Sequence, residues 1–260
     1  MRLDKYLTLA SLGMRKEVQQ YIKEGKVSVN DEIIRVPETE ILEEKDCIMV
    51  FGNEVKLVKR QYYMFHKPAG CITARTDSEK LTVLDYFKDV NSKALFPVGR
   101  LDKDTEGLLF LTNDGEFDHK LMNPDYHVDK TYFFWALGSL DEKNIKALEE
   151  GLSIGKEEAI TKPATIRIDK TGTYTELKGE IFSPIIDKIK MNPYGQPVVS
   201  GYLTISEGRK HQVKRMLKAV GCYVIYLKRE SIGDVCLDFK LKKGEYRKLS
   251  NEEVAVLLEV

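Results

Sequence analysis

The sequence predicts an α+β fold in two units, on three observations. Strand signals multiply after residue 61, helical patterns lie between them without a regular β-α-β rhythm, and a short, mostly helical stretch at the N-terminus is set off by a polar connector, GNEVKLVKRQ at 52–61. Strands and helices mixed in this way favour an α+β sheet over a doubly wound one. The chain has 260 residues, 42% of them hydrophobic, enough to bury a sizeable core in one large or two modest domains. The boundary falls in the connector, giving units 1–58 and 59–260.

In the first unit Leu3, Leu7 and Ala10 recur at helical spacing, with Tyr6 beside Leu3. Gly13 interrupts, and a second helix runs through Val18, Tyr21 and Ile22 to a stop at Gly25. Val27 and Val29 then alternate with polar residues up to a turn at Asn30-Asp31, and DCIMVF (46–51) reads as a closing strand. Arg2, Lys5, Arg15, Lys16, Lys23 and Lys26 stand against Asp4, Glu17 and Glu24. By charge alone this is either a solvated helix face or an RNA contact.

The strands of the second unit are YYMFHK (62–67), GLLFLT (107–112), KTYFFWALG (130–138), ATIRI (164–168), GYLTIS (201–206) and YVIYLKRESIG (223–233). Ser139 and Glu142 predict a capping box for a helix through Ile145 and Leu148 that ends at Gly151. The turn-rich segment 169–200, with Gly172, Gly179, Pro184, Pro193, Gly195 and Pro197, predicts an elaborated surface hairpin or loop. In EGRKHQVKRMLKAVG (207–221), Val213, Met216, Leu217 and Val220 form a core-facing stripe, and Gly221 is the expected stop.

The 41 basic and 41 acidic side chains balance, which argues against a binder that is basic overall. Basic surface is therefore local. Between 205 and 229 seven cations (Arg209, Lys210, Lys214, Arg215, Lys218, Lys228, Arg229) face one acid, Glu207. Lysines repeating every four residues repel one another along a helix, so the pattern points to an anionic partner. Cations spread over several turns suit an RNA backbone better than a single phosphate.

Cys47, Cys71, Cys222 and Cys236 form no C-x-x-C pair and no zinc spacing, so four reduced thiols are expected. Asp4 and Lys5 stand where a secretory leader needs an apolar run, and no apolar stretch approaches the ~18 residues of a membrane span. A cytoplasmic protein with no membrane partner is expected.

GRLDKDTEG (99–107) sets Asp102, Asp104 and Glu106 at alternate positions before Gly107, like the opening of a calcium loop. Counted from Asp102, the position that needs a bidentate glutamate is Asn113, and LLFL (108–111) is an apolar strand, so no metal is expected. The carboxylates could cap a polar turn. A paired-carboxylate glycosidase is disfavoured by the cationic surroundings and by the single tryptophan, Trp135.

GRLDKDTEGLLFLTNDGEF resembles the signature of pseudouridine synthases of the small-subunit rRNA (RsuA) type. HKPAG (66–70), KTY (130–132), TKPA (161–164) and EGRKHQVKRML followed by LKRESIG occur in family order, and the N-terminal unit resembles the alpha-L RNA-binding motif that precedes the catalytic domain. The chain departs from the pattern at His66, where many members have Asn, and in a longer 169–200 segment. The resemblance implies a synthase domain with a mixed, mainly antiparallel sheet flanked by helices. It implies isomerisation of uridine to pseudouridine in ribosomal RNA, 16S in the first instance. The alternatives are a large-subunit (23S) enzyme of the same family and a non-catalytic ribosome-assembly factor.

Pseudouridylation gains and loses no atoms, so no cofactor is expected. The base must leave the stack to be reached. The chemistry then asks for an ionised carboxylate, a cation to aim it and an aromatic face for the base. The resemblance gives these roles to Asp102, Lys214 and Tyr132, with Arg209 or Arg215 as alternatives for the cation, and makes Arg100 the residue that replaces the flipped base. Leu108 would exclude water, and Asp104 and Glu106 are left as turn or surface residues. Arg209, Gln212, Arg215 and Lys130, with Arg2, Lys5, Arg15 and Lys16 of the first unit, are the further expected substrate contacts. The expected partner is ribosomal RNA or a pre-ribosomal particle, bound by a monomer.

Overall fold

The computed structural model describes all residues except 11, 44, 57–59, 89, 91, 156, 157, 190, 191 and 260. The chain forms two compact units, one of Met1–Gln61 with 91–95, the other of Tyr62–Val90 with Phe96–Val260.

The first unit begins with helices α1 (Leu3–Leu9) and α2 (Arg15–Lys23). Strands β1 (Val27–Val29), β2 (Glu32–Ile33), β3 (Ile48–Val50) and β4 (Asn53–Glu54) follow, in sheet order β2-β1-β3-β4. Asn30 and Asp31 both have positive φ, 49° and 67°, which matches the right-handed twist of the hairpin they join. Leu3, Leu7, Val18, Ile22, Val27 and Ile48 make the small core, as the periodicity predicts. Asp4 is fully buried rather than solvated. It accepts from Arg2 (2.9 and 3.0 Å) and Gln19 (2.8 Å), with Arg15 at 3.4 Å. Burial alone would raise its pKa, but the Arg2 and Gln19 hydrogen bonds outweigh it and hold the carboxyl below the usual range.

In the second unit β5 (Tyr62–Lys67), β6 (Phe96–Val98), β7 (Glu106–Thr112), α3 (Gly115–Met122), β8 (Lys130–Leu137) and α4 (Glu142–Glu150) come first. Then follow β9 (Thr165–Thr173), α5 (Tyr174–Leu177), β10 (Pro197–Ile205), α6 (Gln212–Ala219), β11 (Tyr223–Ile232), β12 (Val235–Cys236), β13 (Tyr246–Lys248) and α7 (Asn251–Glu259). The sheet order is β13-β5-β7-β11-β8-β10-β9, with β12 on β11 and β6 on β7. Among the described residues β7 and β11 are its one parallel pair, so the sheet is mixed and mainly antiparallel as expected.

Every residue of β7 is buried, which is why its sequence is a continuous apolar run rather than an alternation. Leu108 and Phe110 of this strand pack with Phe117 and Leu121 of α3 and Leu257 of α7. Each such side chain contributes about 1.5–3 kcal/mol by burial.

One expectation is corrected. The cap of α4 is Asp141, paired reciprocally with Asn144, and not Ser139 with Glu142. Gly138 N still donates to Pro197 O at 2.8 Å, so the chain stays tied to the sheet too long for a helix to open at Ser139. The turn-rich stretch 169–200 takes the elaborated-hairpin form of the two expected: β9 runs on to Thr173 and pairs antiparallel with β10 from Pro197, and 174–196 is the excursion between them.

Candidate active site

The GRLDKDT stretch is the loop between β6 and β7, and its backbone is held from several sides. Lys67, fully buried at the end of β5, donates to Asp102 O (3.0 Å), Thr105 O (2.9 Å) and Pro68 O (3.1 Å). Thr73 Oγ1 donates to Leu101 O at 2.7 Å, and Gly70 N donates to Lys103 O at 2.7 Å. Burial holds the Lys67 ammonium below the ordinary lysine range, although Cys71, Asp104 and Asp102 pull it upward. Gly107, at φ +103°, lets β7 run against β11: a Cβ there would lie 2.2 Å from Arg229 O.

Helix α6 supplies the opposite wall. Val213, Met216 and Leu217 are buried as its periodicity predicts. The other side of the helix brings Lys214 between two carboxylates, 3.0 Å from Asp102 Oδ2 and 2.6 Å from Asp104 Oδ1. Burial raises the Asp104 pKa, but the hydrogen bond and charge of Lys214 together pull it below the usual range. Asp104 is thus no plain turn residue. His211 precedes α6 in the left-handed region (φ 53°, ψ 30°), and its Nδ1 lies 3.1 Å from Asp102 Oδ2.

The floor comes from the sheet. Tyr132 on β8 and Arg229 on β11 are register partners, and Arg229 Nη1 donates to the Tyr132 hydroxyl at 3.4 Å. Arg229 is 2% exposed and its Nε donates to Leu108 O at 2.8 Å. Asp102, Tyr132, His211, Lys214 and Arg229, with Arg100 exposed at the rim, line a cleft of about 600 Å³.

The structure therefore brings Asp102, Lys214, Tyr132 and Arg100 to one cleft. Other expected contacts are engaged with the protein itself. Arg209 donates to Glu207, Ala159 O and Ile160 O, and Arg215 to Ile154 O, Lys210 O and Glu158. Gln212 is 4% exposed and ties Arg209 N to Glu207. Lys130 lines the cleft, but its ammonium donates to Leu121 O and Val128 O, and burial, with Arg229 next, lowers its pKa to about 8. Arg2 and Arg15 converge on Asp4 in the first unit, while Lys5 and Lys16 are exposed there.

Glu106 is no surface residue: it is 2% exposed and accepts from Tyr226 (3.0 Å) and Lys243 (2.7 Å). The sequence reasoning missed Lys67, His211 and the role of Arg229. Lys67 stood in plain view in HKPAG, and His211 in RKHQ, but neither pattern shows where the side chain reaches.

Known proteins resemble the chain in sequence and in fold. The sequence model of the RNA pseudouridylate synthase family matches residues 61–219, and that of the S4 domain matches 1–46. Ribosomal large subunit pseudouridine synthase B of Bacillus subtilis is 37% identical over 97% of this chain and 93% of its own length. Ribosomal small subunit pseudouridine synthase A of Vibrio cholerae is 36% identical over 98% of both chains. A crystal structure of a pseudouridylate synthase superposes with a TM-score of 0.64 at 33% identity, covering 99% of each chain. Among the described residues no helix is long and apolar enough to cross a membrane.

Proposed function

The chain belongs to the RNA pseudouridylate synthase family, and on that premise we propose that it converts a uridine of small-subunit (16S) ribosomal RNA to pseudouridine in the Asp102 cleft. In this reading the uridine flips out of the RNA and Arg100 takes its place in the stack. Asp102 acts as the nucleophile on the flipped nucleotide, and Lys214 keeps it ionised and aimed. The bond from the sugar to the N1 nitrogen of the uracil breaks, the freed base turns against the Tyr132 ring, and the sugar bonds to its C5 carbon as Asp102 is released. Tyr132 also assists removal of the proton from that carbon, and N1 gains a proton in return. No atom enters or leaves, so the residues of the chain suffice.

The observation that carries the reading is the 3.0 Å contact between Lys214 and Asp102 in a cleft whose floor is Tyr132. The unit taken as 1–58, with its S4 match and the exposed Lys5 and Lys16, serves as the RNA grip for a catalytic domain taken as 59–260. The enzyme works as a cytoplasmic monomer on ribosomal RNA or a pre-ribosomal particle. The 37% identity to a large-subunit synthase supports a second reading, in which the target uridine lies in 23S rRNA.

Asp102→Asn is expected to abolish pseudouridine formation and leave RNA binding nearly intact; turnover by the purified variant would overturn the assignment. Lys214→Ala should harm turnover more than Lys218→Ala, and equal loss would mean a general phosphate role. Chemical mapping of pseudouridine in 16S and 23S rRNA from cells with and without the gene decides between the two targets.

A further inference from the structure

The Asp102 carboxylate is held asymmetrically. Oδ2 receives both Lys214 Nζ at 3.0 Å and His211 Nδ1 at 3.1 Å. Oδ1 has no partner among the described residues, although the side chain is one-quarter exposed at the cleft wall. An ionised carboxylate only accepts hydrogen bonds, so the contact fixes the proton on Nδ1 of the imidazole. His211 also holds a left-handed backbone conformation, uncommon outside glycine, in which histidine, like asparagine and aspartate, is enriched. Departures of this kind concentrate where the surrounding structure needs one particular side-chain placement. Here the conformation lets the chain pass straight into α6, where Arg215 N donates to His211 O at 3.0 Å.

Lys214 alone does not fix the rotation of the carboxylate. Its ammonium is shared with Asp104, and a lysine is a rotatable point charge on a flexible stem. The imidazole is planar and comes from a fixed backbone, so it adds the direction that the lysine lacks.

We infer that His211 is a positioning residue for Asp102: its Nδ1–H pins Oδ2, so that Oδ1 is the oxygen presented to the flipped nucleotide. This rests on the reading of Asp102 as nucleophile. His211 makes no contact with the reacting atoms in this scheme, and it acts only through the carboxylate.

The test uses three substitutions in the full-length enzyme, read by single-turnover rate and by RNA dissociation constant. His211→Ala removes the donor and is expected to lower the rate about ten- to a hundredfold, the value of one hydrogen bond to a charged group, with RNA affinity within about twofold. His211→Asn keeps both the left-handed backbone and an N–H donor at nearly the same distance from Cα, and should recover most of the rate. His211→Gly relaxes the backbone without supplying a donor and should behave like the alanine variant. Equal melting temperatures show that the variants fold.

The inference is overturned if alanine leaves the rate unchanged, if asparagine is no better than alanine, if glycine restores the rate, or if the loss falls on affinity instead. Asp102→Asn run alongside separates the two ideas. If that variant turns over, the nucleophile assignment fails; if it is dead while alanine at 211 is fully active, only the positioning role fails.

Discussion

Lys214 lies closer to Asp104, at 2.6 Å, than to Asp102, at 3.0 Å. The carboxylate with the tighter grip on the lysine is thus the one to which no chemistry is assigned, and it works as a tether. Asp104→Asn should loosen the lysine and lower turnover on the order of ten- to a hundredfold, because small misplacements at a reacting site are costly. It should also change acid stability. The folded pKa of Asp104 lies below the unfolded value of 3.8, so its contribution is full above that value and is lost as the pH falls through the folded one. Melting curves from about pH 6 to about pH 2 should therefore show the gap between wild type and Asp104→Asn closing toward the acid end.

Lys130 carries the opposite kind of signature. Its pKa is about 8 in the fold against 10.5 in the open chain. Between those values the unfolded chain binds a proton that the folded chain has released, so stability rises with pH across that window; below about 8 both states are protonated and the penalty is constant. The rise attributable to this residue is on the order of 3 kcal/mol. Denaturant titrations at several pH values should show it in the wild type and not in Lys130→Met, whatever the absolute stability of the variant.

Gly107→Ala should be among the most damaging small substitutions in the second unit. The added methyl would lie 2.2 Å from Arg229 O and 2.6 Å from Arg229 N, at a φ of +103°. Neither atom can move without parting β7 from β11. A loss of about 4 kcal/mol or more is expected in urea unfolding. Gly70 has a similar φ of +100° but open space around it, and Gly70→Ala should cost only about 1–2 kcal/mol.

The cations of the 207–221 segment should divide into two classes. Lys210 and Lys218 are exposed, and removing either should reduce the salt slope of RNA binding by about 0.7–0.9, the signature of one phosphate contact. Arg209 is engaged with Glu207 and two backbone carbonyls. Arg209→Ala should leave the slope unchanged and instead speed hydrogen exchange around Ala159 and Ile160.

Elements with strong periodicity were legible in the sequence. The stripe Val213, Met216, Leu217 predicted the buried face of α6, and Asn30-Asp31 predicted its hairpin, because local geometry alone decides both. The family resemblance carried by GRLDKDTEG and HQVK pointed to Asp102 and Lys214, which the fold brings to within 3.0 Å of each other. Contacts between distant segments were not legible. No pattern shows that Lys67 ends beneath the Asp102 backbone or that Arg229 reaches Tyr132, since both depend on strand register. For the same reason Glu106 read as a surface acid: its partners Tyr226 and Lys243 lie more than a hundred residues away.

The parallel pairing of β7 with β11 also sets when the cleft can exist. Arg229 bonds Leu108 across 121 residues of sequence. Closing so long a loop precedes any reward from the contact, so this seam belongs to the late steps of folding. On a translating ribosome the loop that carries Asp102 emerges well before the strand that completes its floor. The nascent chain therefore holds no finished cleft until almost all of the second unit has left the exit tunnel, and the enzyme cannot act on RNA while most of it is still being made.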